Sequence, residues 1–368
     1  MNRFIPVVAG LFLAGTDLAP AGGKSVQDAV KFDVRAIGQT QGAGTPNAIG
    51  AGAFIPLNTT SNAVTYIDME AKGNLDDRSG DSSIINTDVA GTTLSTSTRI
   101  GYRWLNDVGD WMYGLYGGYD TRELKAGPVD TTVIVTNPRT VNFQQVAVGV
   151  EAVSNEWSIH AYALIPTGTK EKRLNSYYQA GILETTGADI GYRLNNKAKA
   201  TLGYYHQNGD VGGANGSGVS ASLAYNLTDS LTAGVKVSYD DAFETRVLAT
   251  INYTFGNLIE GEEPEKQTTA NFVVEALGAS PQQRGVRVHD RSVRSSCWVY
   301  TSDNYSLFPI GDKKIKTCKT VSGNLTKKTN AYANCTSRAG AFYYEESLEK
   351  VVGGGWRTVY SYYCETNT

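Results

Sequence analysis

One pattern constrains this chain above all others. From residue 31 to residue 255, apolar and polar residues alternate with a period of two, and the gaps between the alternating stretches are long and short in turn. Val247, Ala249, Ile251, Tyr253 and Phe255 interleave with Arg246, Leu248, Thr250, Asn252 and Thr254. The same rhythm carries Leu231, Ala233, Val235, Val237 and Tyr239, and again Ile100, Tyr102 and Trp104 between Arg99, Gly101 and Arg103. A period of two is the mark of a β-strand whose two faces meet unlike surroundings. It predicts twelve strands, near residues 31–38, 47–57, 63–72, 94–105, 111–120, 142–153, 156–165, 186–194, 198–206, 217–226, 231–239 and 245–255.

The connections decide between a soluble sandwich and a barrel. Long segments (Gly73–Thr93, Thr121–Val141, Thr167–Thr185, Gln207–Gly216) alternate with short ones (Asn106–Asp110, Ser154–Asn155, Asn195–Lys197, Thr228–Ser230). Long loops at one rim and tight turns at the other are the plan of a transmembrane β-barrel, and a sandwich gives no reason for it. The expected fold class is therefore all-β: a twelve-stranded antiparallel transmembrane barrel, then a linker and a small disulfide-stabilised β-rich domain. Trp104, Trp111 and Trp157 stand beside the short turns, where ring bodies in lipid and ring edges in water suit a membrane interface. The phase opposite the apolar one reads as small or polar throughout. Its charges, Arg99, Arg103, Asp120, Glu151 and Lys236, are expected to face a wet lumen, because a dry core would strand them.

These strands also resemble a known family, the intimin/invasin-type inverse autotransporters, over roughly residues 65–256. The resemblance rests on the ordered pieces TRIGYRWL (98–105), WMYGLYGGYD (111–120), QVAVGVEA (145–152), WSIHAY (157–162), ADIGYRL (188–194) and LGYY (202–205). It implies a twelve-stranded barrel at the N-terminal side of the chain, with the segment after it passed back through the pore and displayed outside. Family passengers are usually long strings of Ig-like domains. Only about 110 residues follow Phe255 here, so no such array is expected, and the four-cysteine segment has no recognised counterpart.

The flanks suggest the rest of the organisation. Arg3, the apolar stretch Phe4–Ala14 and the small residues Ala19-Pro20-Ala21 read as a signal peptide over residues 1–21. The barrel then occupies 22–256 and a linker 257–296, acidic at first and basic from Gln282 to Arg294. That linker is either a plug inside the pore, its arginines facing interior carboxylates, or a solvated tether. All four cysteines, Cys297, Cys318, Cys335 and Cys364, fall in the last segment, 297–368. An even number in a short exported domain points to two disulfides, with three connectivities open.

Little in the sequence points to catalysis or cofactors. The three histidines, His160, His206 and His289, are far apart, no nucleophile, phosphate-loop or zinc-protease motif occurs, and no metal or cofactor is expected. The acidic stretch 76–82 lacks the register of a calcium loop. A net charge of −3 gives no reason to expect nucleic acid as a partner. The partners expected are outer-membrane lipid, the barrel-assembly machinery, and a surface ligand for the last domain or the long loops. Two functions compete: an outer-membrane barrel that anchors and exports its own C-terminal domain for attachment or recognition, and a porin-like channel with that domain in the periplasm.

Overall fold

The computed structural model describes residues 26–75, 92–125, 129–130, 133–134, 137–175, 178–209, 214–255, 272–292, 296–306, 319–322, 341–350 and 356–365. Twelve strands close into one barrel. In chain order they are β1 (Asp33–Gln39), β2 (Ala48–Thr59), β3 (Ala63–Asn74), β4 (Thr93–Leu105), β5 (Trp111–Lys125) and β6 (Thr140–Ser154). They continue as β7 (Trp157–Thr167), β8 (Glu184–Arg193), β9 (Ala198–Asn208), β10 (Gly216–Asn226), β11 (Leu231–Asp240) and β12 (Glu244–Thr254). Each strand pairs antiparallel with the next, and β1 pairs with β12 through Arg35–Thr254 to Gln39–Thr250, which closes the sheet. Closure matters because hydrocarbon offers no partner to a free edge. The turns at 60–62, 106–110, 155–156, 194–197 and 227–230 share one rim with the start of β1 and the end of β12, and the long connections share the other with the three-residue turn 241–243.

The outward phase is apolar and exposed. Ile100 is 57%, Val150 57%, Leu202 64% and Val247 57% accessible. A soluble barrel would not leave such a continuous belt in water, so the belt is the lipid-facing surface of a membrane-spanning barrel. Aromatic rings gather at its short-turn border. Trp104 lies against Tyr102 and Tyr113, and Trp157 packs on Tyr192 at 4.7 Å between centroids.

The inward phase carries a repeated device. Tyr66 on β3 faces Gly101 on β4, and Tyr116 on β5 faces Gly149 on β6. Tyr162 on β7 likewise faces Gly187 on β8, and Tyr205 on β9 faces Gly218 on β10. In each pair the tyrosine ring lies where the glycine's Cβ would be. The missing side chain is thus a seat for a large inward ring, and each long-loop hairpin from β3 to β10 has one.

The inward phase is not small or polar throughout, contrary to the sequence reading. Near the short-turn rim, Phe54, Val64, Tyr66, Leu105 and Met112 form a buried apolar patch inside the barrel. Two short helices cover it, α1 (Val26–Ala29) and α2 (Phe272–Leu277), through Val26, Val30, Val273, Val274 and Leu277. Helix α2 stops at Gly278, whose N–H bonds the Glu275 carbonyl, with Pro281 close behind. Apolar inward residues exist here because a helix, not water, meets them.

Beyond the barrel, a four-stranded sheet has the order 319–322, 296–306, 356–365, 341–350. Three of these strands carry aromatic residues in sequence, at 298–300, 342–344 and 360–363. Cys318 and Cys335 lie outside the described residues, and so do the signal segment 1–21 and the acidic stretch 76–82.

The tyrosine–glycine seats make a specific prediction. Gly149→Val should lower barrel stability by about 1–3 kcal/mol, because Tyr116 must leave its place. Gly117→Ala, whose Cβ meets nothing closer than the Ala147 carbonyl at 4.0 Å, should stay within about 0.5 kcal/mol. Urea unfolding of the lipid-inserted protein measures both, and equal effects would rule the seats out.

Candidate functional site

The site is the lumen and the chain within it. After α2, residues 279–287 run along the inside of the wall from the short-turn rim to the long-loop rim, with a kink at Gln283, and their partners climb in order. At the bottom, the Arg103 guanidinium donates to the carbonyls of Leu277 (3.1 Å) and Ala279 and through Nε to Glu151 at 2.8 Å. A cation at these last helical carbonyls is favoured by their partial negative charge. Arg103 also lies over the Tyr66 ring, 4.6 Å from its centroid.

One level up, Arg99 grips Asp120 with two hydrogen bonds of 2.6 and 2.9 Å and donates to the Gln283 carbonyl at 3.2 Å. Gln145 donates to the same Asp120 at 2.8 Å. Gln283 itself has φ of 58°, a left-handed conformation unusual for a residue with a Cβ. Its side-chain amide donates to Asp189 at 2.7 Å, so two wall residues hold this kink in place. Asp189 also lies 3.7 Å from His160, whose other ring nitrogen meets the Tyr116 hydroxyl at 2.8 Å.

The threaded chain then supplies cations of its own. Arg284 pairs with Asp68 and donates to Ser97 Oγ at 3.0 Å. Asp68 is fully buried and also takes two hydrogen bonds from Arg35, at 3.0 and 2.7 Å. Arg35 reaches Glu70 as well, at 2.9 Å. At the top, Arg122 donates to the carbonyls of Gly44 (2.5 Å) and Val286 (2.9 Å). Arg287 pairs with Asp240 at 3.0 Å, donates to the Ala43 carbonyl and lies over the Tyr205 ring. Strand 288–292 finally pairs antiparallel with 178–182 in the β7–β8 connection. Wall arginines thus satisfy the threaded backbone, and threaded arginines satisfy wall carboxylates. Both directions are needed, because a buried polar group without a partner costs about 1–3 kcal/mol.

The structure puts every charged residue proposed for the lumen on the inner wall. Arg99 pairs with Asp120 and Arg103 with Glu151 beside the threaded chain, and Lys236 lines a separate space on β11. Trp104, Trp111 and Trp157 take the outward phase at the short-turn rim. Of the histidines, His160 faces the lumen, His206 faces outward beside Ser217, and His289 packs against Phe243 near the long-loop rim. Sequence reasoning missed Arg35, Asp68, Glu70, Arg122, Gln145, Asp189 and Asp240. All lie on barrel strands where the inward phase could have been counted outward from Arg99 or Asp120 through the pairings or, for Asp240, from Lys236 four residues earlier on the same strand.

No protein-family model matches the chain, and no curated protein matches it. Solved structures share the barrel at low similarity. A membrane protein studied for its in-meso crystallization is 10% identical, spans 71% of this chain and all of its own, and superposes with a TM-score of 0.49. The translocator domain of the autotransporter NalP from Neisseria meningitidis is 13% identical over 64% of this chain and 89% of its own, with a TM-score of 0.36. The β domain of the Bordetella autotransporter BrkA is 15% identical over 62% of this chain and 100% of its own, at 0.33. These likenesses are too distant to argue function, which rests on the lumen itself.

The shared carboxylate predicts an order of costs. Arg284→Ala leaves Asp68 paired with Arg35 and should cost about 1–2 kcal/mol. Asp68→Asn leaves two buried arginines with Glu70 alone and should cost about 3–5 kcal/mol. Urea titration of the detergent-solubilised protein gives both values, and a larger loss for Arg284→Ala would contradict the shared site.

Proposed function

We propose that this chain is an outer-membrane barrel that anchors its own C-terminal domain and displays it at the cell surface for attachment or recognition. The observation that carries this reading is the direction of threading. Both ends of the barrel sheet lie at the short-turn rim. Short turns face the periplasm in barrels of this kind and long loops face outward. The chain enters at that rim as α2 and reaches the opposite one as the strand 288–292, paired to a long connection. On this reading the chain that follows Ser292 starts outside. A periplasmic domain would need the chain to turn back and cross the lumen again.

The reading agrees with the intimin/invasin-like strand pieces and gives the linker arginines a task. The barrel's own role is anchoring and passage, with no catalytic step. A folded, disulfide-closed domain is wider than a lumen that admits one or two extended segments. Cys297, Cys318, Cys335 and Cys364 then pair only after crossing. Protease shaving of intact cells carrying an epitope tag after Thr368 tests this. The expected result is loss of the tag while a periplasmic marker stays intact. Protection of the tag until the outer membrane is permeabilised would overturn display.

A further inference from the structure

The threaded segment fills the lumen unevenly. Its bonds run mostly to β3–β6, where the inward side chains are long: Arg99, Arg103, Arg122 and Gln145. The wall across from it, on β11 and β12, turns Thr232, Gly234, Ser238 and Thr250 inward. Small side chains on one wall leave a cavity of about 640 Å³ beside the threaded chain. Its lining begins at Asp33 and Thr254, at the short-turn ends of β1 and β12, and extends to Pro46 and Asn74 at the long-loop side. It therefore spans the height of the barrel.

The charge of this space is one-sided. Six basic side chains line it, against the carboxylates of Asp33 and Glu70. Asp68 and Asp240 pair with Arg35, Arg284 and Arg287 from outside the lining, and with them included the cations still lead by six to four. Lys236 stands midway along β11, flanked by Gly234 and Ser238, with Ser222 opposite it on β10 and Leu248 opposite it on β12, and its side chain lines the cavity. Asp189, a wall carboxylate that acts on it, already accepts a hydrogen bond from Gln283. Basic side chains in a narrow polar passage favour anions, and low-dielectric walls strengthen the preference.

We propose that the barrel has a second activity with its threaded chain in place: it passes small inorganic anions through this lateral cavity, with Lys236 as the residue that sets the preference. The passage does not depend on where residues 297–368 lie, so it stands or falls separately from display. The test is the full-length protein in a planar bilayer under a potassium chloride gradient. The expected result is a small steady conductance whose reversal potential favours chloride over potassium. Lys236→Gln should weaken that preference, and Lys236→Glu should abolish it. A full-length protein as silent as bare lipid would overturn the proposal, and so would a chloride preference unchanged in both variants.

Discussion

Everything in this molecule follows from one constraint: inside hydrocarbon, each backbone N–H and C=O must find its partner within the protein. The pairing of β1 with β12 meets it by leaving no free strand edge. Closure then dictates the rest. With an even number of strands in simple succession, both ends of the sheet come out at the same rim. With a period of two, half of the side chains face lipid and half face a lumen too wide to be sealed by the wall residues alone. The interior must be filled by something, and the chain uses its own continuation.

Two kinds of fit make that possible. Tyrosines laid over glycines on the neighbouring strand, such as Tyr116 over Gly149, bring large rings close to the wall and keep the axis clear. Arginine–carboxylate groups then match the threaded segment without leaving buried charges alone. Asp68 is the clearest case, since it holds Arg35 from the wall and Arg284 from the threaded chain at once. Burying such groups gains little by itself, whereas removing one member is costly. The network therefore fixes the register of the threaded segment more than it adds stability. The apolar seat of α2 does the complementary work at the short-turn rim, where Val273, Val274 and Leu277 leave water.

Much of this was legible in the sequence, and the illegible parts have physical causes. Alternation around Ile100, Leu231 and Val247 was clear because outward apolar residues meet lipid and their neighbours meet charge. It blurred in β2 and β3, where Phe54, Val64 and Tyr66 face inward beneath α2 while Asp68 and Glu70 share the same phase. A long-range helix contact that mixes apolar and charged residues on one face cannot be seen from local period. The linker arginines were visible as a basic run, yet only the pairing partners separate a plug from a tether. Those partners, Asp68 and Asp240, lie 216 and 47 residues away in sequence, on strands 3 and 11 of the closed sheet.

Threading is the claim on which display, anchoring and the lateral cavity all depend, and photo-cross-linking from within the lumen tests it most directly. A photoreactive residue replacing Val286 in the full chain, activated in living cells and mapped by mass spectrometry, should join to the stretches around Gly44 and Arg122, because the Val286 carbonyl accepts from Arg122 at 2.9 Å. Intramolecular cross-links to those two stretches would place the segment in the barrel. Cross-links to lipid or to other proteins, with none to the lumen wall, would contradict threading.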